Sequence, residues 1–199
     1  TAREAREIPR ADTLTYEAVP QLLTKVSEDF LWLTGVCKDL GYQEVNLNTG
    51  CPSGTVTAKG KGSGMLRDLP ALEAFLDDIF AKSPLPVSIK TRLGWASLSE
   101  YQTWLPTLLK QHPVALTVHL RTKKEMSKVP AHYELIPEII KLRNEISPET
   151  KLIINGDIKN RQHALELHKK YPEIDGFMIG RGVFENPYCF TDHTPTKDE

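Results

Sequence analysis

The sequence predicts an α/β chain of the (β/α)8 TIM-barrel kind, incomplete in that about six of the eight strands are readable. Two observations carry this reading. Short apolar, β-branched runs alternate with longer amphipathic stretches from Val19 to Gly182, and polar or glycine residues close nearly every run at its C-terminal end. Uninterrupted alternation implies parallel strands joined by right-handed crossovers. A doubly wound sheet gathers its functional groups at one switch point, whereas a barrel collects them from many strand ends at one mouth. The spread of such residues over successive strand ends favours the barrel.

Taken in order, the first strand is expected at Val19–Leu23 and the first helix at Glu28–Leu40. Glu44–Asn48 follows as a strand that runs directly into Thr49-Gly50-Cys51-Pro52-Ser53. Pro70–Lys82 reads as a helix because Leu72, Phe75, Leu76 and Ile79 recur on one face. The pattern then repeats with strands at Pro86–Arg92, Ala115–Arg121, Lys151–Asp157 and Gly176–Gly182, and helices at Ser99–Gln111, Tyr133–Ile146 and Asn160–Tyr171. A closed barrel needs eight strands and about 250 residues. Two strands are therefore expected outside this chain, unless Thr1 to Glu17 supplies them in a form not legible as strands. Residues 1–190 read as the barrel portion. The polar stretch 191–199, with Pro195 and a helix start at Asp198-Glu199, reads as a domain junction.

The chain has 199 residues with 25 basic and 26 acidic side chains, a net charge of -1 that supplies no global field for nucleic acid. Local clusters at Lys59, Lys61 and Arg67 and at Lys123, Lys124 and Lys128 still allow a positive rim. Cys37, Cys51 and Cys189 are an odd number without a CxxC pair, which argues against a disulfide framework or a zinc site. A reducing, cytoplasmic setting and no metal are expected. No window approaches the roughly 20 apolar residues of a membrane span, so no membrane role is expected.

Cys51 sits in a turn after a strand, with Pro52 restricting the backbone around it. A thiol there can serve as nucleophile, metal ligand or proton donor, and an ordinary thiol is mostly protonated at neutral pH. The glycine-rich run Lys59-Gly60-Lys61-Gly62-Ser63-Gly64-Met65-Leu66 lacks the order of a phosphate loop. It reads equally as a mobile basic loop closing over a polyanionic substrate or as a flexible connector. Lys90 and Arg92, and His119 and Arg121, alternate along apolar strands and so point to one side. Buried cations require an anionic or electron-rich partner, or for Lys90 a plain ion pair with Asp157 or Glu44. Asn155-Gly156-Asp157 and Gly180-Arg181-Gly182 close the last two strands, where barrels bind phosphate through glycine-rich loops; together they favour a phosphorylated cofactor such as FMN.

The ordered set of Glu44–Ser53 with Asn48-Thr49-Gly50-Cys51-Pro52-Ser53, Pro86–Trp95 with Lys90-Thr91-Arg92, Val118–Thr122, Ile154–Ile158 and Met178–Gly182 strongly resembles the tRNA-dihydrouridine synthases, over roughly Gln21 to Phe190. The resemblance implies a barrel that binds FMN, reduced by NADPH, which passes hydride to C6 of a uracil in tRNA while a cysteine, Cys51, protonates C5. By the same resemblance Asn48 contacts substrate, Gln21, Lys90 and His119 contact the flavin, and Asn155, Gly156, Asp157, Gly180 and Arg181 lie towards its phosphate end. Arg92 and Arg121 are candidates for RNA or flavin contacts. The family's first barrel strand has no counterpart here, and its helical C-terminal tRNA-binding domain is expected beyond residue 199. The alternatives are a small-molecule FMN barrel oxidoreductase of the dihydroorotate dehydrogenase kind and a non-catalytic RNA-binding fragment. The modified tRNA position and the oligomeric state are not legible.

Overall fold

The computed structural model describes residues 8–193, so most of the junction expected at 191–199, residues 194–199, lies outside the described residues. Six parallel strands, β1 (Gln21–Leu22), β2 (Val45–Asn48), β3 (Val87–Arg92), β4 (Ala115–His119), β5 (Lys151–Asn155) and β6 (Gly176–Met178), form one sheet in sequence order. Helices α1 (Ser27–Asp39), α2 (Leu69–Lys82), α3 (Tyr101–Leu109), α4 (Ile136–Ile146) and α5 (Arg161–Lys170) join successive strands. Sequential parallel order with a helix in every crossover is the (β/α)8 arrangement, with six of its strands present among the described residues.

The helices start where the sequence supplies stops and caps. Asp68 accepts from the Ala71 N–H at 3.1 Å and Pro70 occupies the first turn of α2. Asn160 caps α5 through the His163 N–H at 2.9 Å. The predicted α2 stripe, Leu72, Phe75, Leu76 and Ile79, is buried. The starts of α3 and α4 fall later than periodicity predicts, because Leu98–Glu100 and Tyr133–Leu135 are 3-10 turns. Ser97 and Glu100 form a reciprocal capping box in the first of these.

Period-two alternation divides the sheet into two chemically different faces. Val45, Leu47, Val87, Ile89, Leu116, Val118, Leu152 and Ile154 are buried on one face and belong to the core shared with the helices. The other face carries Asn46, Asn48, Ser88, Lys90, Arg92, His119 and Asn155, since Asn46 is opposite Ser88, Asn48 opposite Lys90, Arg92 opposite His119, and His119 opposite Asn155. A polar inner face is costly unless its groups are hydrogen-bonded or meet a ligand. Among the described residues no helix is long and apolar enough to cross a membrane.

Candidate active site at the strand ends

The segment after β2 is held by a relay of side-chain amides. Asn48 Oδ1 accepts from the N–H groups of Gly50 at 3.0 Å and Cys51 at 2.8 Å, which fixes the turn that presents the thiol. Asn48 Nδ2 donates to Gln21 Oε1 at 2.7 Å, Gln21 Nε2 to Asn46 Oδ1 at 2.7 Å, and Asn46 Nδ2 to Ser88 Oγ at 2.9 Å. Each amide thereby has its orientation set by the next. Asn46 escapes a search for reactive groups, although alternation with Val45 and Leu47 puts it on the face of Asn48.

Behind Cys51 lies the glycine-rich run, and its second half, Gly62–Leu66, is packed into the fold while Lys59–Lys61 stay at the surface. Gly62–Arg67 forms a 3-10 segment in which Gly62, Ser63, Gly64, Met65 and Leu66 are buried. Ser63 donates to the Cys51 carbonyl through its N–H at 3.1 Å and its Oγ at 2.8 Å. Gly62 has φ +57°, and a Cβ there would stand 2.9 Å from Cys51 Cβ. The glycines permit close backbone approach to the thiol turn rather than motion.

Arg92 and Lys90 stand beside this turn, and Arg121 and His119 lie next to them on the side of the later strands. Arg92, 6% exposed, donates Nε to the Gly50 carbonyl at 2.8 Å and Nη1 to the carbonyls of Thr122 and Met126. Burial and the neighbouring Arg121 charge lower its pKa to about 10. Lys90 donates to Asn155 Oδ1 at 3.3 Å, not to Asp157 or Glu44, and burial with the Arg92 charge brings it down to about 8. Arg121, 2% exposed, donates Nε to the Val129 carbonyl, Nη1 to His119 Nε2 at 3.1 Å and Nη2 to Asp157 Oδ2 at 2.5 Å. Because a guanidinium only donates, His119 accepts at Nε2 and carries its proton on Nδ1. Burial and the charges of Arg92, Lys90 and Arg121 push His119 down to about 3, so the ring is neutral.

Asp157 is the carboxylate that pairs with Arg121 in this cluster, and Glu125 lies within reach of the Arg92 charge. Burial opposes ionisation of Asp157, but Arg121 and the Ala131 N–H at 2.9 Å hold it below the usual range. Arg181 approaches its other oxygen at 3.8 Å. A cleft of 320 Å³ opens here, lined by His119, Arg121, Asn155, Gly156, Asp157, Gly180 and Arg181 among others. Asn155 Nδ2 donates to the Met178 carbonyl at 2.8 Å, and Tyr133 Oη donates to the Gly156 carbonyl at 2.5 Å. Burial raises Tyr133 to about 12, so it stays a donor.

The sequence-predicted residues thus fall into two linked groups. Gln21, Asn48 and Cys51 lie at the β1 and β2 side, and His119, Arg121, Asn155, Gly156, Asp157, Gly180 and Arg181 surround the cleft at the β5 and β6 side. Lys90 and Arg92 stand between them. Sequence reasoning missed the latch on the segment after β4: His132 Nε2 meets Glu125 at 2.9 Å and Nδ1 meets Glu134 at 2.7 Å, while Glu125 also accepts from the Thr122 N–H and hydroxyl. Burial opposes protonation of His132, yet the two carboxylates raise its pKa.

A family model described as dihydrouridine synthase (Dus) matches residues 2–199. The chain is 48% identical over 163 residues to the probable tRNA-dihydrouridine synthase 2 of Bacillus subtilis strain 168, covering 82% of this chain and 50% of that protein. It is 51% identical over 152 residues to a probable tRNA-dihydrouridine synthase of Staphylococcus epidermidis strain ATCC 12228, covering 76% of this chain and 46% of that one. The chain therefore spans about half the length of the curated relatives it matches. Among solved structures, histamine dehydrogenase from Rhizobium sp. 4-9 superposes with a TM-score of 0.54 over 82% of this chain and 26% of that one, at 11% identity. That likeness is one of fold alone.

Proposed function

The chain belongs to the dihydrouridine synthase family, and from that premise we propose that it carries the catalytic centre for reducing uridine to 5,6-dihydrouridine in tRNA, with Cys51 as the proton donor. The observation that carries the reading is the Cys51 turn, fixed by Asn48 and Ser63 and set beside a cation cluster. Saturating the C5–C6 double bond of uracil takes a hydride at C6 and a proton at C5. The Cys51 Sγ–H delivers that proton, and the thiolate left behind is reprotonated from solvent, since the residue is only half buried.

The donor set fits FMN. Lys90, Arg92 and Arg121 outnumber the carboxylates Asp157 and Glu125 that act on them, so the mouth has positive charge to offer an anionic ligand. These residues would hold a flavin mononucleotide, which when bound would supply the hydride, with NADPH as its reductant. Lys90 and neutral His119 are assigned to the ring system, Lys90 as charge and His119 through its Nδ1–H. Asn155, Gly156, Gly180 and Arg181, which line the cleft, are assigned to the phosphate, with Asp157 orienting Arg121 and Arg181. Gln21 acts on the thiol turn through Asn48. Arg92 and Arg121 lend charge to cofactor and substrate while their hydrogen bonds fix the surrounding segments.

A uridine inside folded tRNA must leave its stack to reach Cys51, and Asn48 and the neighbouring cations give it polar groups to meet. A cytoplasmic location accords with a tRNA substrate. The test is dihydrouridine formation on a tRNA transcript made without modifications, with Cys51→Ala in parallel. The variant is expected to retain flavin and NADPH oxidation while product falls by at least 100-fold. Product formed at the unsubstituted rate would remove Cys51 from the chemistry, and orotate consumption without dihydrouridine would move the protein to a small-molecule reductase.

A further inference from the structure

The segments that follow β2, β3 and β4 meet at a feature that the chemistry above leaves unused. The Arg67 guanidinium carbon lies 5.0 Å from the centroid of the Trp95 ring, and Lys123 Nζ lies 4.5 Å from it. Both fall within cation–π range. Neither cation has a carboxylate partner among the described residues. The acids on the same segments are engaged elsewhere. Asp68 caps α2, Glu100 accepts from the N–H groups of Trp95, Ala96 and Ser97, and Glu125 serves Thr122 and His132.

This cationic stack is mechanically tied to the thiol. Ser63, bonded to the Cys51 carbonyl, belongs to the same 3-10 segment that ends at Arg67. Arg92, three residues before Trp95, donates to Gly50 beside Cys51 and to Thr122 and Met126 on either side of Lys123. Backbone bonds from Lys123 to Gly94 and from Lys124 to Trp95 lock the remaining pair of segments together. An anion held at the stack is thereby held at a fixed offset from Cys51.

We propose that Arg67, Trp95 and Lys123 form a phosphate seat for the RNA backbone flanking the nucleotide that enters at Cys51, an assignment that rests on the tRNA reading above. Trp95 holds two flexible cations in place through its ring and leaves their outer N–H groups to phosphate oxygens. Contacts of this kind fix position without reading sequence. Each phosphate neutralised releases counterions, so the seat has a salt signature.

The test is fluorescence anisotropy of an end-labelled, unmodified tRNA transcript across a potassium chloride series, with thermal melts of each variant alongside. Arg67→Ala combined with Lys123→Ala is expected to weaken binding about 10-fold or more at low salt and to lower the log–log salt slope by between about 1 and 2. Trp95→Leu, with both cations kept, should loosen binding by about 3- to 10-fold, and Trp95→Phe by less, because Phe retains an aromatic face. In dihydrouridine formation KM should rise while kcat holds. Unchanged affinity and slope in the double variant would overturn the seat. Equal behaviour of Trp95→Leu and Trp95→Phe would overturn the part assigned to the ring. A protein that makes no dihydrouridine yet shows the double-variant salt effect would sink the reading of function and leave the seat standing.

Discussion

Asn48 uses both ends of one amide. Its oxygen takes two backbone N–H groups and its nitrogen is anchored on Gln21, so the turn at Cys51 inherits the rigidity of β1 as well as β2. Removing the side chain leaves two N–H groups without their acceptor and frees the turn, whereas removing Gln21 severs only the far end of the relay. Misplacing a reacting group by about 1 Å costs roughly 100-fold in rate. Asn48→Ala is therefore expected to cut kcat for dihydrouridine formation by roughly 100-fold, and Gln21→Ala by under about 10-fold. The check is single-turnover kinetics on tRNA transcript with both variants at matched flavin content. A larger loss for Gln21→Ala would mean that Gln21 acts directly rather than through Asn48.

At the scale of elements, the 3-10 segment Gly62–Arg67 acts as a wedge under the thiol turn. Gly62→Ala puts a Cβ at φ +57° and 2.9 Å from both Cys51 Cβ and the Cys51 carbonyl. A left-handed non-glycine residue costs about 1 kcal/mol or more, and overpacking adds about 1–3 kcal/mol. A fall in Tm of about 5–10 °C is expected, together with lost activity. Gly35→Ala serves as the control, because Gly35 lies in α1 with nothing within 4 Å of the added Cβ, and it should stabilise by about 0.5–1 kcal/mol. Equal melting shifts for the two would show that Gly62 has room. This wedge also marks where sequence reading ended. The strands and the α2 stripe were legible because alternation and helical period are written in side chains. The packing of Gly62–Leu66 depends on a carbonyl at Cys51 and a methylene brought close by the fold, which leave no pattern. The wiring of Arg92 and Arg121 was hidden likewise, since Gly50, Thr122, Met126 and Val129 accept through carbonyls that every residue has.

Across the whole molecule, the inner sheet face gathers charge of one sign, and stability should report it. Legibility here was good in kind, because polar residues at successive strand ends marked the face, and poor in arrangement, because which cation faces which acid is decided by register and strand tilt. Lys90 titrates at about 8 in the fold against about 10.5 for an ordinary lysine. Between those values the unfolded chain binds more protons than the folded one, so stability rises with pH across that window and the penalty for the buried charge is complete below about 8. His119 acts in the same sense at lower pH. It is held at about 3 against 6.5, so stability is lost as pH falls below about 6.5. Replacing Lys90 by a methionine removes the first of these dependences. The stability of Lys90→Met relative to the unsubstituted chain, read from melts at each pH, should therefore be highest at pH 7 and decline from pH 8 to 10, by an amount on the order of 2 kcal/mol. An anionic ligand at the cluster reverses the sign for binding, because it needs Lys90 protonated. FMN affinity, read by quenching of its fluorescence, should fall as pH rises through about 8 in the unsubstituted chain, with no such step in Lys90→Met. A melting difference independent of pH would mean that Lys90 keeps an ordinary lysine pKa, and the cluster would then carry no charge penalty for an anion to relieve.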